Sequence, residues 1–388
     1  MRQNRQTKKG EYIMKFETNF EEFKKAITTC GKGLKKGALL TPLIKIEAKE
    51  HSLIVSENNI SGNGIGIEVT IPATVEKTGS FVTSFYSANV LSIRNCTGKL
   101  EGELVGNMLV LKYKNGLAKT VLTKNETPFT DVASKPADAA SASIPLDVFS
   151  GMLKDTLFVG MNQSAAQNAY GMILKIEEDE DGLLKFSLTA SDCYRIAKRT
   201  VFAVKNGEYT GSVVLAPENL KTVSEILDGE DVEISVDGGK AYIKSGVVRC
   251  VFATLDKDMP NLEKIIAGRT ATYSAEVDKS ELLEALNCTI YLQKEKTQTV
   301  ATLDFKTDSV SIGCPGLTDY AEVMSAKTNG EELGKKKVDS VFLKELASCY
   351  PGHTVMIAST SEASCPLWMC AGDHEEYVFC VLPINPSK

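Results

Sequence analysis

An α+β fold, built as three similar domains that each pack two helices on antiparallel sheets, is predicted by three observations. The 388-residue sequence restates one pattern of extended segment, capped amphipathic helix and strands at a period of about 125 residues. Short β-branched runs closed by turn residues lie between the helical stretches, and their alternation indicates sheet with one buried face. With 43% hydrophobic residues, each third holds enough apolar side chain for a core of its own.

The elements follow in order. The first third opens with Phe16-Glu17-Thr18-Asn19 and then spaces Phe20, Phe23, Ile27, Cys30 and Leu34 by three and four, with Glu22 three residues after Asn19. That spacing predicts a helix capped by Asn19. The second third opens with Ser143-Ile144-Pro145-Leu146-Asp147 and places Phe149, Met152, Leu153 and Leu157 on one stripe. The third opens at Tyr273, caps at Asp278 with Glu281 following, and carries Leu282, Leu283, Leu286 and Ile290. Midway through each third a strand runs into a second short helix. These pairs are Ser80-Phe81-Val82 before Leu91 and Ile93, Val213-Val214-Leu215 before Leu220, Val223, Ile226 and Leu227, and Val338 before Phe342, Leu343 and Leu346. Asn115-Gly116 and Asp237-Gly238-Gly239 close strands as hairpin turns. Gly62, Gly64 and Gly66 run into the β-branched segment Ile65 to Ile71 and not into a helix, so they read as a turn or bulge and not as a phosphate loop.

The repeat divides the chain into domains at 14–134, 144–268 and 269–388, with a small, polar linker at 135–143 and a basic, unpatterned, disordered extension at 1–13. No stretch approaches the ~18 apolar residues of a membrane span, and ten cysteines occur without a C-x-x-C, which together predict a cytoplasmic protein. His51, His353 and His374 have no metal-ligand spacing, and no nucleophile or base joins Asp192 and Arg195. The expectation is a non-catalytic protein with no metal and no cofactor.

The run Leu188-Thr189-Ala190-Ser191-Asp192-Cys193-Tyr194-Arg195-Ile196-Ala197 resembles the middle-domain signature of the beta sliding clamp of bacterial DNA polymerase III. Tyr170-Gly171-Met172, Met259-Pro260-Asn261-Leu262 and Tyr377 to Ile384 fall in that family's order, and Met14-Lys15-Phe16 is similar to its usual start. The resemblance spans residues 14 to 385. It implies the DNA-clamp fold, two chains closing head to tail as a dimeric ring with helices inside and sheets outside. Twelve helices about 9 Å apart make a circle about 34 Å across at their axes, leaving roughly 24 Å for a duplex. The implied function is a processivity factor that encircles double-stranded DNA without reading its sequence. It would tether the replicative DNA polymerase, the clamp loader and repair proteins through a hydrophobic peptide-binding cleft. Cys193 stands where glycine is usual, Ala169 is smaller than the usual leucine, and Asn385-Pro386-Ser387-Lys388 replaces the usual ending. These departures suit a divergent or mobile-element paralogue as well as a chromosomal clamp.

The net charge of −6 fits a ring whose exterior is acidic and whose inner helices carry weak positive charge. Lys24, Lys25, Lys32 and Lys36 lie off the apolar stripe of the first helix or just beyond it, Arg94 follows the second helix, and Lys198 lies in the middle domain. By resemblance Lys36 and Gln163 lie nearest the family's DNA-contacting positions. Carried over motif by motif, the cleft takes Ala169, Gly171, Ser191, Cys193, Tyr194, Arg195 and Ile196 from the middle domain, and Pro260, Lys264 and Ile265 from the segment after it. The last domain adds Phe342, Pro366, Val381, Leu382, Pro383 and Ile384. Arg195 is expected on the rim, with Leu382, Pro383 and Ile384 anchoring a Gln-aliphatic-aromatic peptide. Unpaired sheet edges are expected near Leu117 to Thr123 and in the third domain. Two other readings stay open. One is a three-domain structural or binding protein that does not encircle DNA; the other is a nuclease or nucleotide-dependent enzyme, opposed by the lack of clustered carboxylates and phosphate loops.

Overall fold

The computed structural model describes residues 13–34, 42–59, 64–90, 94, 96–114, 116–121, 129–162, 170–203, 207–296, 298–314, 320–372 and 376–384. Each third consists of two halves, and every half is a strand, a helix and three more strands. The first third runs β1 (Met14–Asn19), α1 (Phe20–Cys30), β2 (Leu43–Lys49), β3 (Ser52–Asn58) and β4 (Ile65–Lys77), then β5 (Gly79–Ser84), α2 (Phe85–Asn89), β6 (Lys99–Val105), β7 (Met108–Tyr113) and β8 (Gly116–Val121). The second runs β9 (Ala142–Pro145), α3 (Leu146–Gly160), β10 (Met172–Glu178), β11 (Leu184–Ser191) and β12 (Arg195–Ala203), then β13 (Gly211–Leu215), α4 (Pro217–Ile226), β14 (Asp231–Asp237), β15 (Lys240–Ser245) and β16 (Val248–Ala253). A short helix α5 (Leu262–Ala267) leads into the third, which runs β17 (Tyr273–Asp278), α6 (Lys279–Leu292), β18 (Val300–Lys306), β19 (Ser309–Cys314) and β20 (Tyr320–Gly330), then β21 (Gly334–Asp339), α7 (Ser340–Cys349), β22 (Thr354–Ser359), β23 (Leu367–Ala371) and β24 (Tyr377–Val381).

The halves exchange their leading strands. β1 pairs β6 and β5 pairs β2; β9 pairs β14 and β13 pairs β10; β17 pairs β22 and β21 pairs β18. The sheets then fuse across the repeats, because β4 pairs β16 and β12 pairs β24, both antiparallel. Two twelve-stranded sheets result. Each belongs to one compact unit, the first made of Met1–Leu146, Gly207–Tyr209 and Lys221–Thr254, the second of Asp147–Asn206, Thr210–Leu220 and Leu255–Lys388. Compactness therefore follows the fused sheets, and the middle repeat contributes to both units.

Local chemistry explains the elements. Asn19 Oδ1 accepts from the backbone N–H groups of Glu21 and Glu22, and Asp278 accepts from Glu281 N, so both predicted caps form. Gly238 and Gly239 take φ of 53° and 72°, the pair of positive values that a two-residue hairpin between β14 and β15 requires. Two stripes differ in detail from the expected ones. Thr156 and Val159 are buried on α3 where Leu157 is only half-buried, and Ala285 and Thr289 are buried on α6 where Leu283 and Ile290 are half-buried. Small residues sit closest to the sheet, which lets the backbone approach and turns the larger neighbours to the flank. Helix α2 is described over Phe85–Asn89, and Leu91 and Ile93 lie outside the described residues.

One buried group links stability to pH. Glu57 on β3 is 2% exposed, its Oε2 has no hydrogen-bond partner among the described residues, and burial pushes its pKa up to about 8. The same oxygen lies 2.7 Å from where a Cβ on Gly33 would stand, so a larger residue there would press on the buried carboxyl. A carboxyl whose folded pKa is raised contributes stability that is fully present below its unfolded value and is lost as pH rises through the folded value. We expect the wild-type melting temperature to fall between about pH 5 and pH 8 and to level off above that, and Glu57→Gln to flatten that decline, as thermal melts across the range would measure. Identical slopes in the two proteins would remove Glu57 as the cause.

Candidate functional site

The hairpin between β11 and β12 is organised by one buried carboxylate. Asp192 is fully buried; its Oδ1 accepts from Tyr194 N at 3.1 Å and Arg195 N at 2.9 Å, and its Oδ2 accepts from Arg195 Nε and Asn162 Nδ2, both at 2.8 Å. This network closes the turn and holds Cys193 at φ 70°, a conformation that costs a non-glycine residue roughly 1 kcal/mol or more. Arg195 is not on a rim. It is 3% exposed, donates from Nη1 to Glu345 of α7, and stacks with its guanidinium carbon 4.2 Å from the Phe342 ring centroid and 5.2 Å from that of Phe158. Burial of the guanidinium between two carboxylates and two rings makes it a structural anchor.

Beside this hairpin opens a cavity of about 230 Å³ in the second compact unit. Ser191, Cys193, Arg195 and Ile196 supply one side, Pro260 and Ile265 another, and Pro366 and Leu382 the rest, so eight of the expected residues converge. Leu262 and Cys380 complete the lining and were not anticipated. Beneath it lies an apolar cluster of Ile196, Leu262, Ile266, Trp368, Val378 and Cys380. Asn261 Oδ1 caps α5 by accepting from Lys264 N at 2.9 Å, which turns Leu262 and Ile266 inward and leaves Ile265 47% exposed at the mouth. Leu382, 41% exposed, is fixed opposite by its N–H to the Tyr194 carbonyl at 2.8 Å.

Sheet parity accounts for what the sequence misplaced. In the β12 to β24 ladder Ile196 faces Cys380 and Arg195 faces Val381, so Cys380 shares the cavity face and Val381 is buried on the other. The signal for Cys380 was present in the alternation of Tyr377 to Val381, and Asn261 was a legible cap for Leu262. Phe342 and Tyr194 form an aromatic pair 6.1 Å apart outside the cavity lining, with Tyr194 52% exposed. Gly171, at φ 138° beside Val214, and the exposed Lys264 are also outside the lining. Pro383 and Ile384 are half-buried beyond it, with Ile384 N donating to Lys337 O at 2.6 Å. Ala169 lies outside the described residues.

The basic candidates are held by neighbours. Lys24 Nζ donates to the Arg94 carbonyl at 3.0 Å, Lys25 pairs with Asp228, and Lys32 pairs with Glu225 at 3.2 Å. Lys198 stands on the face of β12 that meets α5, where it pairs with Glu263 at 2.9 Å. Its neighbour Arg199 takes the opposite face, beside Asp155 of α3 at 3.6 Å and over the Tyr377 ring at 3.8 Å. Lys198 thus lies on a strand, apart from the lysines of the first helix, on the face that the period of two assigns it. Lys36 and Gln163 lie outside the described residues.

No family model and no curated protein matches the chain by sequence. Solved structures do match it along nearly its whole length. The DNA polymerase sliding clamp of Bacillus subtilis superposes with a TM-score of 0.85 at 19% identity, covering 97% of this chain and 100% of that one. The DNA polymerase III subunit beta of Pseudomonas aeruginosa gives 0.83 at 15% identity, and the beta subunit of Thermotoga maritima 0.81 at 16%, each covering 96% of this chain and 100% of the other. The chain has the DNA-clamp fold.

Proposed function

We propose that this chain is a DNA sliding clamp, a non-catalytic processivity factor that closes as a homodimer around duplex DNA and tethers a replicative polymerase. The observation that carries the reading is a rule of edge pairing that is satisfied twice and left open once. The last strand of a repeat's first half pairs with the last strand of the next repeat's second half, as β4 does with β16 and β12 with β24. The strands left over are β20 of the third repeat and β8 of the first. Among the described residues Tyr320 to Ser325 of β20 pair only with β19 and β8 pairs only with β7, and each edge carries a bare apolar residue, Val323 at 70% and Leu117 at 50% exposure. Such edges are hazardous alone and complementary in a head-to-tail dimer, where pairing at both ends closes a ring.

The cavity beside Ile196 supports the second half of the reading. Apolar walls with a few polar groups suit a short Gln-aliphatic-aromatic peptide, which a polymerase, a clamp loader and repair proteins could each present in the cytoplasm. Lys25 and Lys32 already bear carboxylate partners and Lys24 a backbone carbonyl, so direct attraction to phosphate is weak and retention is topological. The test is retention after loading onto a nicked circle. The protein should stay on circular DNA through a wash at moderate salt and be lost when the circle is cut once. Equal retention on circular and linear DNA would mean that it binds without encircling.

A further inference from the structure

One position on β21 breaks the alternation that its ladder requires. Lys336 stands opposite Leu303 and Val338 stands opposite Ala301. Leu303, Ala301 and Val338 are fully buried, and Lys336, on the same face, is itself 2% exposed. A buried ammonium must be satisfied or neutralised. Here its Nζ donates to the carbonyl oxygen of Glu362 and to that of Cys365 at 3.3 Å, while burial draws its pKa below the ordinary lysine value. Both carbonyls belong to the turn that delivers Pro366, whose own carbonyl accepts from Ser359 Oγ at 2.8 Å. On the adjacent residue, the Lys337 carbonyl accepts from Ile384 N at 2.6 Å, two residues beyond Leu382. One strand therefore holds two walls of the cavity, Pro366 through a side chain and Leu382 through the tail that follows it.

We infer that Lys336 is a positioning residue for the cleft: its buried ammonium, bonded to two carbonyls, fixes the 360–366 turn and with it the placement of Pro366 against Leu382. The inference rests on the peptide-cleft reading above. Packing alone does not call for a lysine, because a methionine would satisfy the inward apolar position and fill a similar volume. What methionine cannot supply is the pair of donated bonds to the turn, and without them the carbonyls of Glu362 and Cys365 lose that donor.

The test uses the full chain as wild type, K336M and K336R, titrated with a fluorescent Gln-aliphatic-aromatic pentapeptide and followed by amide hydrogen exchange. K336M should bind about tenfold more weakly and exchange faster at residues 360–366 alone, with its melting temperature within about 2 °C of wild type. K336R, which keeps charge and donors, should restore both. Wild-type exchange in the turn of K336M, faster exchange spread across β18 to β24, unchanged affinity, or failure of K336R to restore the turn would each overturn the inference. If the wild-type protein binds no peptide, the cleft reading fails, and the exchange measurements still decide whether Lys336 fixes the turn.

Discussion

A chain carrying Leu117→Cys together with Val323→Cys is expected to become a covalent dimer under mild oxidation, with neither single variant doing so. The register comes from the two junctions already closed. In β4 the first residue, Ile65, lies opposite Phe252, the fifth of β16; in β12 the first residue, Arg195, lies opposite Val381, the fifth of β24. Applied to the open edges, the rule sets Tyr320 opposite Thr120 of a second copy and Val323 opposite Leu117. The faces agree independently. Ala118 and Thr120 pair with the buried Leu111 and Leu109, and Glu322 and Met324 pair with the buried Ile312 and Val310, so Leu117 and Val323 both stand on the outer faces. Directly opposed residues in an antiparallel pair have Cα atoms about 4.5–5.5 Å apart, within the reach of a disulfide. Leu117→Cys with Met324→Cys puts the thiols on opposite faces and should not link. Native cysteines include the exposed Cys193 and Cys288, so the wild-type chain is the baseline for non-reducing gels. Light scattering that finds only monomer at micromolar concentration would end the dimer reading.

Arg195→Ala is expected to destabilise the second compact unit by about 3–5 kcal/mol, the usual cost of removing one partner from a buried ion pair. The loss leaves Asp192 fully buried without its guanidinium and strips the cation from the face of Phe342. Arg195→Lys should recover little, since a lysine cannot bond Asp192 and Glu345 at once from a planar fork. Thermal melts resolve the effect. A variant melting within about 1 °C of wild type would return Arg195 to the rim, where the sequence motif had put it.

That reversal marks what a sequence can and cannot carry. Asn19, Asp278 and the Asp237-Gly238-Gly239 turn act through neighbours a few residues away, so their roles were legible from spacing. The burial of Arg195 depends on Phe158, Phe342 and Glu345, which come from distant helices, and a motif does not encode them. The placement of Val381 is a one-residue error of sheet parity, since Cys380 carries the cavity face, and the position of Lys198 on a strand beside Glu263 was not visible from its charge alone. Lys336 was visible as a charge inside Gly334-Lys335-Lys336-Lys337-Val338. Its meaning waited on the register with β18 and on the carbonyls of Glu362 and Cys365.

The exchange of leading strands imposes an order on synthesis. As the chain leaves the ribosome, β1 can pair with β4 of its own half but keeps its other edge bare until β6 arrives, and the β2 to β4 group lacks a flank until β5 follows. Likewise β4 keeps a bare edge until β16 has been made, some 180 residues later by the numbering of the two strands. The nascent chain therefore completes its sheets in whole repeats and not half by half. For the same reason a gene duplication or deletion that cut a repeat at its midpoint would leave a strand with no sheet to enter. Repeat number in such proteins is expected to change only in whole steps.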